Sequence, residues 1–384
     1  RGLGDVYKRQ VMKEDLEEIR AKYGENRKTE LSINEGEIDI EDLIADEPCV
    51  ITLTNTGYIK RVPTDTYRQQ RRGGKGVIGM NTKEEDFVEH VFTASTHDYL
   101  LCFTEDGRMY WLKAYQVPEG SRQAKGRSLA NVLQMTQEEK LAAILCVREL
   151  DDNSRHLLMA TKNGVVKKTV LSAYKNVRIA GINAIKIDED DSLIGVVLTA
   201  GDDDIMLSMK KGKAIRFHEK DARAVGRVSR GVRGARLEKD DKIVSVDIVD
   251  NNASMMAITE NGFGKRTSFD EYRAQSRGGK GVISIQTTER NGDVVSAHAV
   301  TDDHRLMLIT EAGQMICIGA RDLRVIGRNT QGVRVIRLKE GELLVNVARI
   351  DEPEDDLDGE NGAVDGVDSK DASISKDTDA NQSD

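Results

Sequence analysis

Two seven-residue stretches hold the densest chemistry in the chain: Gln70-Arg71-Arg72-Gly73-Gly74-Lys75-Gly76 and Gln275-Ser276-Arg277-Gly278-Gly279-Lys280-Gly281. They share the pattern Q-x-R-G-G-K-G. Glycines let a backbone come close to a phosphate and aim amide N–H groups at it, while the flanking Arg and Lys supply charge; a solvated surface turn has the same composition. A nucleotide loop is the obvious rival, because Gly74 to Gly79 formally matches G-x-G-x-x-G. That match precedes a short strand instead of opening a helix, the sister stretch has Ser284 in place of the third glycine, and no P-loop pattern occurs. The six histidines show no H-x-x-x-H or H-E-x-x-H spacing, and no G-x-S-x-G turn is present. No catalytic residue and no metal-ligand set is therefore expected. Cys49, Cys102, Cys146 and Cys317 form no C-x-x-C pair, which suits a reducing compartment such as the cytosol.

Basic side chains recur more widely. Lys60 and Arg61, Lys113, Lys167 and Lys168, Arg216, and Lys265 and Arg266 each close an apolar segment. A second set lies in the loops that follow: Arg71, Arg72 and Lys75; Arg122, Lys125 and Arg127; Arg227, Arg230 and Arg233; Arg277 and Lys280; Arg328 and Arg334. Each alone reads as a solubilising charge, but together they form a track for an extended polyanion if the fold brings them to one rim.

The elements that place them are repeats. Six copies of an apolar strand, a tight glycine turn and a second strand ending in basic residues have turn glycines at Gly57, Gly107, Gly164, Gly212, Gly262 and Gly313. A second glycine follows 19 residues later in five copies (Gly76, Gly126, Gly231, Gly281, Gly332) and 17 later in the third (Gly181). Period-2 alternation around turns such as Asn-Gly and Asp-Gly predicts a β-hairpin, and a further short strand follows the second glycine, as at Val77 to Met80, Val282 to Ile285 and Val333 to Ile336. About four strands in about 50 residues is the size of a propeller blade, so the prediction is an all-β, six-bladed repeat disk over residues 48–350. Whether a blade is contiguous or exchanges a strand with its neighbour is open.

The flanks differ. Residues 1–47 read as the end of a preceding domain and its connector, with a helix over Val11 to Tyr23 that presents Leu16, Ile19 and Tyr23 on one face and ends at Gly24, and with residues 1–10 as a stretch foreign to the native chain. Residues 351–384 are Asp, Glu, Ser and Gly with few apolar groups and are predicted to be disordered. The net charge of −9 divides unevenly: 8 basic and 14 acidic side chains in 1–47, 2 and 13 in 351–384, and 47 and 39 in the body, which is therefore +8. A basic body with an acidic tail is typical of a polyanion binder. No apolar run approaches the ~18 residues that span a bilayer, so no membrane partner is expected.

At this point the residues resemble a known family. The stretch Gln70 to Gly76, preceded by Gly57-Tyr58-Ile59-Lys60-Arg61 and by Glu37 to Asp46, looks like the gyrase-A box and its lead-in from the C-terminal domain of the DNA gyrase A subunit, in the type IIA DNA topoisomerase family. The resemblance covers about residues 11–350. It implies a six-bladed β-pinwheel whose basic perimeter binds and wraps duplex DNA, so that a holoenzyme with the gyrase B subunit plus a second A subunit introduces negative supercoils. ATP and Mg would be bound elsewhere, with no cofactor in this fragment. The family's catalytic tyrosine lies in an R-Y-T-like context upstream, and none of the nine tyrosines here has it, so the fragment is expected to bind DNA without cutting it. A half-turn of duplex at an axis radius of about 35 Å costs on the order of 13 kcal/mol in smooth bending, which calls for several charged contacts per blade. Two alternatives stand beside this reading: a topoisomerase IV-type subunit, and a propeller that serves as a protein-interaction scaffold.

Overall fold

The computed structural model of the chain describes residues 3–25, 40–54, 56–64, 88–121, 124–136, 138–176, 178, 180–311, 315–339 and 341–350. The Gln70 to Gly76 box, Arg122, the sixth turn glycine Gly313 and the acidic stretch 351–384 lie outside the described residues. The chain divides into two compact units, residues 1–45 and 46–384.

In the first unit a helix runs Leu3–Tyr23, starting well before the predicted Val11. Its surface is largely charged, including a Lys13–Glu17 pair one turn apart at 3.8 Å. Leu16, Ile19 and Tyr23 are exposed. Gly24 closes the helix by donating its N–H to the Arg20 carbonyl at 2.8 Å. A short 3-10 turn follows at Ile40–Leu43.

The second unit consists of six antiparallel sheets, and none of the four-stranded ones is built from one contiguous stretch. The first blade orders its strands Val88–Ser95, Pro48–Thr54, Tyr58–Pro63, Arg127–Ser128. Its fourth strand belongs to the second repeat. The same exchange recurs in the second blade (Leu141–Val147, Tyr99–Thr104, Arg108–Lys113, Ile182–Asn183) and the third (Leu193–Thr199, His156–Thr161, Val165–Val170, Val232–Arg233). The fourth (Ile243–Ile248, Asp204–Met209, Lys213–His218, Val282–Ile283) and fifth (Val294–Val300, Ser254–Thr259, Phe263–Ser268, Val333–Arg334) follow it. In the sixth, Leu344–Ile350, Arg305–Thr310 and Met315–Gly319 are described. The first strands of successive blades from the second to the sixth adjoin, and Leu344–Ile350 meets Val88–Ser95, so the sheets close into a ring.

Of the predicted strands after the second glycine, Val77 to Met80 lies outside the described residues, and the other two form only Val282–Ile283 and Val333–Arg334, shorter than expected. They leave the ladder after two residues because the next N–H groups turn onto the hairpin of the preceding blade. Ser284 and Ile285 both donate to the Gly212 carbonyl, at 2.8 and 3.0 Å, and Val335 donates to that of Gly262 at 2.9 Å. This contact also explains the turn glycine. Gly212 has φ +80°, and a Cβ there would stand 2.2 Å from the Ile285 carbonyl oxygen.

The core lies between blades. One apolar cluster joins Ile51 and Leu53 of the first blade to Leu100 and Leu112 of the second. Others join the second to the third through Leu101, Met159 and Leu193, the third to the fourth through Leu158 and Leu207, the fourth to the fifth through Met206 and Phe269, and the fifth to the sixth through Ile258 and Leu308. A hairpin with both faces apolar is unstable alone, and here each face is covered by a neighbour.

Candidate nucleic-acid interface

The outer strand of each exchanged blade and the loop before it arrive from the next repeat, and the glycine of that loop fixes how closely they approach. Gly281 has φ +72°, and a Cβ would stand 2.4 Å from the Ala214 carbonyl oxygen. Its conformation and close packing thus serve the exchange. In the second glycine-rich stretch the neighbouring glycines are also engaged by protein: Gly278 donates to the Gly234 carbonyl at 2.6 Å, and the Gly279 carbonyl accepts from Arg236 at 2.8 Å.

The basic residues that close the hairpins do not form part of an exposed rim, which corrects the expectation of a single track. Lys60, Lys167 and Lys265 are at most 1% exposed. Each occupies the third position after its turn glycine, and each ammonium reaches carbonyls of the incoming loop. Lys60 donates to the Ser121 carbonyl at 3.3 Å; Lys265 donates to those of Gly327 and Arg328 at 2.7 and 2.5 Å; Lys167 donates to that of Arg227 and, within its own repeat, to that of Ala184. In the second and fourth blades the same position holds buried Tyr110 and Ile215. A buried ammonium resists its charge, so burial, reinforced by the nearby Arg227 charge, pulls Lys167 down to about 7. Burial likewise pulls Lys265 down to about 8 and lowers Lys60.

The next position clamps the incoming chain. Arg61, Lys168, Arg216 and Arg266 pair with Glu119, Ala224, Ala274 and Val325 in isolated parallel bridges. Their side chains are held within the protein. Lys168 is 3.0 Å from the fully buried Glu219; Arg216 is 2.7 Å from Asp204; Arg61 is 3.0 Å from Glu119; Arg266 donates to the Leu323 carbonyl at 3.0 Å and pairs with Asp302. Burial works to raise the Glu219 carboxyl, but the Asp203 amide, the Thr199 hydroxyl and Lys168 outweigh it and hold it below the ordinary range. Lys113 is also buried, donating to the His97 carbonyl at 3.0 Å with its ammonium 3.7 Å from the Tyr99 ring centre.

The loop set divides differently. Arg127, Arg230, Arg233, Lys280 and Arg334 are exposed, while Lys125, Arg227, Arg277 and Arg328 are half-buried. Lys125 lies 3.8 Å from the Tyr58 ring centre, and Arg334 shares the Phe263 ring with Arg290. Arg230 pairs with Asp188, both well exposed, a pairing worth at most about 1 kcal/mol that a polyanion can displace. These exposed charges lie on the donated loops and outer strands of the first, third, fourth and fifth blades, Arg230 and Lys280 just before the second glycine, Arg127 just after it and Arg233 and Arg334 two residues after it, and they constitute the candidate surface. The sequence reading missed exposed Arg236 just after the third blade's outer strand, and it missed Lys175 and Arg178. Arg236 is four residues past the strand's start, where the two-glycine register ends, and Lys175 and Arg178 lie in the one loop whose spacing departs from that register. Among the described residues no group of three or more His, Cys, Asp or Glu is arranged to hold a metal ion, and no helix is long and apolar enough to cross a membrane.

A family described as "DNA gyrase C-terminal domain, beta-propeller" matches the chain six times, over residues 50–95, 98–148, 155–200, 203–250, 253–301 and 304–351. The DNA gyrase A subunit of Salmonella typhimurium is 46% identical over 357 residues, covering 92% of this chain and 40% of that protein. The DNA gyrase A subunit of Mycolicibacterium smegmatis is 44% identical over 343 residues, covering 89% and 41%. The chain thus spans about two fifths of the length of these relatives. Among solved structures, the C-terminal domain of DNA topoisomerase IV is similar at a TM-score of 0.68 and 26% identity, covering 80% of this chain and 94% of that one. A DNA gyrase A C-terminal domain is similar at 0.64 and 27%, covering 79% and 99%.

Proposed function

The chain belongs to the DNA gyrase C-terminal domain family, and from that premise we propose that it binds duplex DNA along the donated loops and outer strands and bends the duplex around the ring. The observation that carries this reading is the placement of Arg127, Arg233, Lys280 and Arg334, exposed on the donated segments of four blades. Charges on successive blades neutralise phosphates at intervals along a path, which is what offsets a bending cost on the order of 10 kcal/mol. Among the described residues of the six sheets and their loops no aromatic side chain is exposed, and the single tryptophan, Trp111, is half-buried, which does not suit a protein-docking scaffold.

In a complete gyrase A subunit this activity would serve ATP-dependent negative supercoiling in the cytoplasm, together with the B subunit plus a second A subunit, which supply ATP, Mg and strand cleavage. The topoisomerase IV structure, at a TM-score of 0.68, favours a second reading in which the parent enzyme is of that type. Identity of 46% to a gyrase A subunit over 92% of the chain supports the gyrase reading. Supercoiling of relaxed plasmid by a reconstituted full-length enzyme separates the two.

The DNA-binding claim is tested by measuring affinity for a linear duplex against salt. Neutralising about ten phosphates gives a slope of log affinity on log salt near −9 with slight sequence preference. A slope near −2 would mean a local contact and would contradict a path around the ring.

A further inference from the structure

The loops of the fourth, fifth and sixth repeats are placed alike, but the preceding loop is not. In the fifth and sixth, the arginine four residues before the second glycine stitches its loop to the outer strand of the blade before. Arg277 donates to the Arg233 carbonyl at 3.1 Å, and Arg328 donates to the Ile283 carbonyl at 2.8 Å. Both acceptors lie two residues after the preceding loop's glycine. By the same register, Arg227 of the fourth repeat should reach the Asn183 carbonyl. Among the described residues its side chain makes no hydrogen bond or ion pair. The backbone stitch at this junction is present, with Lys186 donating to the Ser229 carbonyl at 3.2 Å. Only the arginine link is missing.

In its place a cleft of about 760 Å³ opens between Arg227 and Val228 on one side and Lys175, Arg178, Gly181 and Asn183 on the other. The cause is local. The third repeat's loop is the short one, 17 residues between glycines instead of 19. It docks on the blade where Tyr110 replaces the lysine latch, and Gly181 fits so closely there that a Cβ would stand 2.7 Å from the Tyr110 ring. The missing lysine is not itself the cause, since Ile215 also replaces it in the fourth blade, where the loop keeps its 19 residues and Arg328 still reaches Ile283; the shorter loop seated on Tyr110 is what sets this junction apart.

Three cations line this cleft and, among its described lining residues, no acid does. Lys175 has an outside partner in Asp151 at 3.1 Å, with both side chains about half exposed, so the pair is readily exchanged. Below the lining, the Lys167 side chain donates to the Arg227 carbonyl and fixes that residue's backbone at the edge of the cleft. We propose that this cleft is a phosphate seat, binding backbone phosphate of a duplex through Arg178, Arg227 and Lys175 and anchoring the path between the second and third blades. The assignment rests on the duplex-binding reading above. It favours duplex phosphate over a free oligophosphate because the cleft opens among the same donated loops that carry the exposed Arg230 and Arg233.

The test uses the 384-residue chain and its Arg178→Gln/Arg227→Gln variant, with hydrogen–deuterium exchange and fluorescence anisotropy on a linear duplex, and inorganic pyrophosphate as a second probe. The variant's unfolding midpoint should match the parent's, because neither side chain has a partner among the described residues. Its duplex affinity should fall about tenfold at 0.1 M salt, with a salt slope shallower by about 1 to 2. Duplex should protect residues 175–183 in the parent and not in the variant, and Arg227→Lys should retain most of the affinity. If the parent binds duplex with protection of residues 275–283 but none at 175–183, and the variant binds equally well, the cleft assignment is overturned and the wider reading stands. Failure of the parent to bind duplex would overturn both. Protection of 175–183 by pyrophosphate but not by duplex would replace the duplex with a free oligophosphate.

Discussion

On the third blade, Lys167 and Arg233 lie on paired strands and carry the same charge, yet their surroundings are opposite. Lys167 is 1% exposed and its ammonium is bonded to the Ala184 and Arg227 carbonyls, whereas Arg233 stands exposed on the donated strand alongside. The comparison separates two uses of repeated positive charge. The hairpin-end lysines and arginines hold the exchanged segment in place, and the loop and outer-strand arginines face outward from the segment so held. A repeat-equivalent position therefore fixes location within a blade without fixing exposure.

The division predicts that the two sets respond differently to substitution. The largest effect is expected at Lys168, whose removal leaves Glu219 buried without its ion-pair partner. Lys168→Ala should lower the unfolding free energy by about 3 to 5 kcal/mol in urea titration, and a loss under 1 kcal/mol would show that the clamp is dispensable. A smaller structural loss is expected from Gly281→Ala, about 1 to 3 kcal/mol, because the side chain meets the Ala214 carbonyl in a strained backbone conformation. On the outward set the pattern reverses. Arg233→Gln/Lys280→Gln/Arg334→Gln should leave the unfolding midpoint nearly unchanged while making the salt slope of duplex binding shallower by about 2 to 3. If that triple variant unfolds early and binds normally, the division is wrong.

A further effect concerns pH. Lys167 is held near 7 in the folded protein, below the ordinary lysine value of about 10.4. Between those values the unfolded chain binds the extra proton, so this group's contribution makes stability rise with pH across that window. Lys167→Met should flatten the rise measured between about pH 7 and pH 10, and an unaltered profile would mean the ammonium is not burdened by burial.

How much of this was legible in the sequence follows from the same residues. The six turn glycines, in register with six second glycines, predict the blade count and the hairpins, because a positive-φ turn between alternating strands has few other solutions. The exchange was not legible, since a 19-residue spacing is equally compatible with a strand returning to its own blade or to the previous one. Nor was the burial of Lys60, Lys167 and Lys265, because a lysine at a strand end is ordinarily exposed and only the incoming loop's carbonyls make burial tolerable. The 17-residue spacing at Gly181 was visible, but its consequence depends on Tyr110 lying beneath that glycine.

The most direct test of the central claim is the topoisomer distribution of a nicked plasmid sealed by ligase in the presence of this chain. If the duplex follows the outward set around the ring, the distribution shifts in linking number with protein concentration, and the Arg233→Gln/Lys280→Gln/Arg334→Gln variant shifts it much less. A distribution that stays unshifted while gel-shift shows the same DNA fully bound would contradict the account.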